Sequence, residues 1–247
     1  MRPFPVRLTF HGDLDFFLRS KSSRSVERAL SERTSIKDVI ESCGVPHPEV
    51  DLILIDGKPE HFNCVLESEA NVEVYAVSVD RRTFFPEKRL QVTEIKKFVA
   101  DGHLGKLARD LRLLGLDVLY DPAAEDRQLL DTAKIENRAL LTRDRRLLMH
   151  AVVQHGYCVR SQQPLEQTAE VLRRFDLAGV LAPFTRCLRC NARLESVKKA
   201  VVVEQLEPLT KIYYDEFRRC AACGQIYWRG SHYAKLQARV AQLTQRL

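Results

Sequence analysis

Between Ile95 and Phe175 the sequence alternates between strand and helix periodicity, and this limits the possible folds more than any other feature. Ile95–Ala100, Asp117–Tyr120, Ala139–Thr142 and Tyr157–Arg160 are short apolar runs of strand type. Helical segments separate them. Gly102–Leu114 carries Leu104, Leu107, Leu111 and Leu114 on one face, and Gly115 stands at its C′ position. Glu125–Glu136, a short segment from Arg145, and Leu165–Phe175 continue the pattern. Repeated strand–helix units of this length predict a parallel sheet covered by helices.

In an open parallel sheet, ligands bind beyond the carboxyl ends of the strands. Acidic residues stand at those ends here. Asp101 follows the first strand, Asp121 the second and Asp144 the third, while Glu125 and Asp126 open the second helix. If these side chains converge on one cleft they repel one another unless a cation joins them, and carboxylate oxygens suit Mg²⁺ or Mn²⁺. Lys106 and Arg109 beside Asp101, and Arg143 and Arg145 beside Asp144, are placed to hold a phosphate backbone. Acids at strand-to-helix junctions also cap helices, so position alone leaves both roles open. His103 reads as a surface histidine, and Thr142 as a residue that packs or hydrogen-bonds near Asp144.

Four of the seven cysteines form two C-x-x-C pairs, Cys187/Cys190 and Cys220/Cys223, with 29 residues between them. Each pair is followed by Asn191 or Gly224, which tolerate the left-handed turn of a metal knuckle. Four thiolates suit a tetrahedral, structural Zn²⁺. The intervening residues are expected to form a strand hairpin through Ala200–Glu204 and Ile212–Tyr214. Cys43, Cys64 and Cys158 read as inert core residues. His232–Leu247 has the pattern of a closing basic helix. Trp228 either stacks on a base or packs against the ribbon.

The first 80 residues read differently. Val6–Phe10 alternates as a half-buried strand, His11-Gly12-Asp13 is a turn, and a second strand is expected near Asp15–Arg19. A helix follows, capped by Ser35 and closed by Gly44, then a Leu52–Ile55 strand, an Asp56-Gly57 hairpin and a Val72–Val77 strand. That order is a β-grasp. A basic connector, Arg81–Lys88, marks the boundary. The domains expected are residues 1–80, 92–180 and 181–247.

The net charge of +6 conceals an asymmetry. Residues 1–80 hold 9 Lys+Arg and 14 Asp+Glu, whereas residues 81–247 hold 30 and 19. So basic a segment fits a polyanion binder. There is no apolar run of roughly 18 residues to span a bilayer, and the N-terminus lacks a signal-peptide core. The expectation is a cytoplasmic protein without a membrane partner.

The segment FVADGHLGKLARDLRLLGLDVLYD, followed by EDRQLLDTAKIENRALLTRD, resembles the Mut-seven C-terminal RNase domain family, a branch of the PIN-like nucleases. DGKPEHFNCVLESEANVEVYAV is similar to the closing half of ubiquitin-like modules related to sulfur carriers. The resemblance implies an α/β protein with an N-terminal ubiquitin-like β-grasp, a central PIN-like parallel sheet flanked by helices, and a C-terminal zinc ribbon. It implies that Asp101, Asp126 and Asp144 bind Mg²⁺ or Mn²⁺, that Cys187, Cys190, Cys220 and Cys223 bind Zn²⁺, and that RNA is hydrolysed to 5′-phosphate and 3′-hydroxyl products. PIN nucleases often carry a fourth acid on an intervening helix, for which this sequence offers no clear match. RNA, including tRNA or ribosome-associated RNA, is the expected partner, with a protein partner for the β-grasp. The competing readings are a non-catalytic RNA-binding protein with a degenerate site, and a β-grasp adaptor or sulfur-carrier-like module.

Overall fold

The computed structural model describes residues 2–19, 23–77, 85–92 and 94–246. In chain order the elements are β1 (Phe4–His11), β2 (Ser25–Leu30), β3 (Thr34–Ser35), α1 (Ile36–Ser42), β4 (Val50–Ile55), β5 (Lys58–Glu60), β6 (Val65–Leu66) and β7 (Ala70–Ala76). Then come β8 (Lys97–Ala100), α2 (Gly105–Leu113), β9 (Asp117–Tyr120), α3 (Asp126–Ile135), β10 (Ala139–Thr142), α4 (Arg145–Leu148), β11 (Gly156–Cys158) and α5 (Pro164–Arg174). The chain closes with β12 (Leu194–Val197), α6 (Lys199–Val202), α7 (Pro208–Tyr213), β13 (Phe217–Cys220), β14 (Ile226–Trp228) and α8 (Ser231–Thr244). The elements gather into two compact units, Met1–Glu94 with Leu130–Cys158, and Ile95–Leu129 with Val159–Leu247. Among the described residues no helix is long and apolar enough to cross a membrane.

The first unit contains the β-grasp. Its five strands run β2-β1-β7-β4-β5, with β1 parallel to β7 and the other pairs antiparallel. Alternation in β1 buries Val6, Leu8 and Phe10 completely, and Ile36, Val39 and Ile40 of α1 are buried with them in the core. Ser35 caps α1 by accepting from the Asp38 amide. Asp56 and Gly57, with φ of 49° and 79°, make the two-residue turn between Ile55 and Lys58. The second strand is Ser25–Leu30; Gly12–Phe17 is a 3-10 turn that buries Leu14 and Phe17. Sequence periodicity misplaces this strand because β2 pairs only with β1 at the sheet edge and buries no residue fully, so its alternation is faint. Of the connector, Arg81, Arg82, Thr83 and Phe84 lie outside the described residues.

Buried polar bonds join the β-grasp to the 139–158 segment within this unit. His47 Nε2 lies 2.6 Å from the Val153 carbonyl and its Nδ1 lies 2.7 Å from Glu41. Glu49 accepts from the Cys158 amide at 2.6 Å. The Arg145 guanidinium donates to the Phe16 and Phe17 carbonyls, each at 3.0 Å, and sits over both rings. In the same unit β10 pairs in parallel with β11.

In the second unit β8 pairs in parallel with β9 over four residues. Leu104, Leu107, Leu111 and Leu114 are all buried, and Gly115 ends the helix with φ of +89°. The residues between the cysteine pairs include helices α6 and α7, not the expected strands; the antiparallel sheet is β12-β13-β14. The β-branched run at Val201–Val203 favours a strand locally. The helical turn prevails because it buries Val202 and Leu206 together against Phe217 and Ile226. Pro208 then stands at the start of α7, where it lacks no needed donor.

Arg145→Met keeps the aliphatic contact and removes both charged hydrogen bonds. We expect a loss of about 2 kcal/mol, read as a melting temperature lowered by roughly 5 °C in a circular dichroism melt.

Candidate active site and cysteine cluster

Asp101 leaves the carboxyl end of β8 half-buried, and its side chain makes no capping bond to the turn that follows. That turn packs closely on the loop after β9. The Tyr120 hydroxyl donates to the Gly102 carbonyl at 2.9 Å. A Cβ on Gly105 would stand 2.6 Å from the Tyr120 hydroxyl oxygen, and one on Gly102 would stand 3.0 Å from the Pro122 carbonyl. Both glycines of the A-D-G-x-L-G motif stand at close approaches, which set the Asp101 turn beside the loop leading to α3. In that loop Asp121 accepts from the Ala123 amide and so shapes the turn. The Glu125 amide donates to the Gln128 side chain. Asp126 is exposed as the first residue of α3.

Asp144 is exposed two residues beyond β10. It caps α4, with Oδ1 accepting from the Arg146 and Leu147 amides at 2.7 and 3.4 Å. Its own amide donates to the buried Thr142 hydroxyl at 2.9 Å, the supporting role expected of that threonine. Lys106, Arg109 and Arg143 are exposed. Arg145 is committed to the Phe16 and Phe17 carbonyls.

The four paired cysteines converge. Their sulfurs all lie within 4.8 Å of one another, with Cys187 3.6 Å from Cys223 and Cys190 3.3 Å from Cys220. Tetrahedral zinc bound at about 2.3 Å sets sulfurs about 3.8 Å apart, so the donor set fits that ion. Among the described residues this is the single group of three or more such ligands drawn so close. Asn191 and Gly224 make the knuckle turns, with φ of 72° and 73°. Burial alone would raise the Cys187 thiol, but hydrogen bonds from the Tyr227 hydroxyl and the Cys190 and Arg189 amides overcome it and bring it to about 6. Cys190 is pushed up to about 12, by burial and then by the neighbouring sulfurs. Four thiolates this close repel, and a divalent cation at their centre lets all four ionise.

The comparisons with known proteins agree with this architecture. The family described as Mut7-C RNAse domain matches residues 96–240, and the family described as Mut7-C ubiquitin matches residues 4–81. The chain belongs to the Mut7-C RNase family. No curated protein and no solved structure gives a match.

In this Mut7-C RNase chain a buried polar junction fastens the cysteine knuckle to the sheet. Asn191 donates to Asp117 at 2.8 Å and accepts from the Val118 amide at 3.0 Å. Arg186 bridges Asp117, the Asn191 carbonyl and the Gly115 carbonyl. Arg112 spans from the Val118 carbonyl to the Leu188 and Arg189 carbonyls. Sequence reasoning missed Arg112 and Asp117. It also missed Asp110, which is buried in α2 and paired with Arg239 of α8. The available signal was spacing: Asp110 falls beside Leu107, Leu111 and Leu114 on the apolar stripe, where a carboxylate needs a partner.

Asn191→Ala removes two buried hydrogen bonds and a residue suited to the left-handed turn. We expect a loss of about 3 kcal/mol, measured by urea unfolding. The purified protein should carry about one zinc per chain by elemental analysis. Cys220→Ser should lose it, and zinc retention should fall as the pH is lowered, because protons compete for the thiolates.

Proposed function

We propose that the chain is a divalent-metal-dependent ribonuclease in which Asp101, Asp126 and Asp144 hold Mg²⁺ or Mn²⁺. The observation that carries this reading is the RNase-family match over residues 96–240. Within that span, Asp101 and Asp144 follow the ends of β8 and β10, and Asp126 opens the helix after β9. Hard carboxylate oxygens suit either ion. When bound, such an ion supplies Lewis acidity toward a phosphodiester and its attacking water.

The chain's own residues supply the rest. Lys106, Arg109 and Arg143 are exposed cations that hold phosphates on either side of the scissile bond. Asp144 combines two duties, since the oxygen that caps α4 belongs to the proposed ligand. The β-grasp binds the 139–158 segment internally, and its remaining surface is available to a protein partner. Reduced cysteines and an RNA substrate fit the cytoplasm.

One observation favours a second reading, an RNA-binding protein without turnover. The acid buried in α2, Asp110, is paired with Arg239 and so adds no fourth ligand. Cleavage of labelled single-stranded RNA and of tRNA in Mn²⁺ separates the two. Wild type should yield 5′-phosphate ends, and Asp101→Asn and Asp144→Asn should each lose at least about a hundredfold in rate. Asn replaces Asp well as a helix cap, so Asp144→Asn should melt within a few degrees of wild type. Equal cleavage by all three proteins would refute the nuclease reading; salt-sensitive binding without cleavage would establish the second one.

A further inference from the structure

A groove of about 840 Å³ opens in the second unit between the cysteine-bearing sheet, α8 and the Arg109–Leu113 side of α2. Aromatic rings line it, Trp228, Tyr233 and Phe184 among them. Trp228 is 38% exposed at the end of β14. Its indole lies against Gly230, where a Cβ would come within 2.6 Å of Nε1. Tyr233 of α8 packs on Phe184 with centroids 4.9 Å apart. Phe184 is held at φ of 62°, a conformation bulky residues seldom adopt, so its ring is presented here at some cost in backbone strain.

The charge on the walls is mainly positive. Arg109, Arg186, Arg218 and Arg229 line the groove against two carboxylates, Asp215 and Glu216. Asp215 is already paired with Lys199, and Glu216 lies 3.7 Å from Arg229. The Arg229 guanidinium also stands 5.7 Å from the Tyr233 ring centroid. Aromatic platforms interleaved with arginines are what unpaired nucleotides require, because bases stack on rings while phosphates meet cations. A base-paired helix conceals those faces. A purely acidic partner would use the arginines and leave the rings idle.

We propose that this groove binds single-stranded RNA, with bases stacked on Trp228 and Tyr233 and phosphates held by Arg109, Arg218 and Arg229. From Arg109 the strand continues along the exposed face of α2 past Lys106 toward Asp101. Arg109 lies about 6 Å along the α2 axis from Gly105, and the turn from Asp101 leads into that helix. Only this last step rests on the ribonuclease reading; the groove would bind RNA whether or not the acids cleave it.

Trp228 is the chain's single tryptophan, so intrinsic fluorescence reports on the groove directly. The full zinc-loaded chain is titrated, without magnesium or manganese, with a twelve-nucleotide mixed-sequence single strand, its duplex and poly-glutamate. The single strand should quench the indole saturably, and the duplex and poly-glutamate should quench it far less. By polarisation of a labelled strand, Trp228→Ala should weaken binding about tenfold. Arg109→Gln, an exposed helix change that leaves folding intact, should weaken it about threefold and flatten its salt dependence. RNA binding that leaves the fluorescence unchanged and is indifferent to Arg109→Gln overturns the proposal, as does equal quenching by poly-glutamate. The readout is binding in the absence of divalent ions, so failure of the nuclease reading in the cleavage assay would not be mistaken for failure here.

Discussion

The strands from which the acids emerge are only four residues long. A parallel ladder that short offers few backbone bonds and little side-chain surface, so neighbouring elements have to hold it in place. The second unit uses buried guanidinium and amide groups for this. Arg112, Arg186 and Asn191 tie β9 to the first cysteine knuckle through carbonyls and the Asp117 carboxylate. Each bond contributes modestly, but losing one partner leaves a buried polar group unsatisfied, which costs more than the bond itself adds. The knuckle that accepts from Arg112 is the knuckle whose sulfurs could hold an ion, so a metal bound there would help to hold β9.

The first unit solves the same problem with the β-grasp. His47, Glu49 and Arg145 make bonds between the ubiquitin-like module and the 139–158 segment, at Arg145, Val153 and Cys158 beyond Asp144 in sequence. An arginine beside a candidate acid invites a phosphate-binding role. Here it grips two backbone carbonyls and two aromatic rings, and so fixes the start of α4, which Asp144 caps. The module is an internal support for the 139–158 segment.

Asp144 and Asp121 show why acids at strand ends resist assignment from sequence alone. Both carboxylates accept backbone amides, one as a helix cap and one in a turn, and both are acids at the ends of parallel strands. These amide bonds engage only the Oδ1 atom of each carboxylate, and the other oxygen retains lone pairs for a cation. The structural and catalytic roles are therefore compatible, and only a substitution that preserves the cap while removing the charge separates them.

Periodicity and turn chemistry were enough to read most elements, because these depend on neighbours in sequence. β9 and β10 fall on the residues their patterns indicate, the leucine stripe of α2 is buried, and Ser35, Gly115 and the Asp56-Gly57 pair act as cap, stop and turn. The C-x-x-C spacing likewise foretold a four-sulfur cluster. Among the elements that escaped are β2, whose edge position weakens its alternation, and helices α6 and α7, where burial of Val202 and Leu206 overrides a β-branched run. The sequence alone determined the kind of many of the elements and which four cysteines cluster, since spacing along the chain fixes both. Tertiary structure decided what each charge does. It paired Asp110 with Arg239, turned Arg145 to the Phe16 and Phe17 carbonyls and set Asn191 on Asp117, because a buried charge or amide takes whichever partner folding brings within hydrogen-bond reach, and those partners are 74 to 129 residues away along the chain.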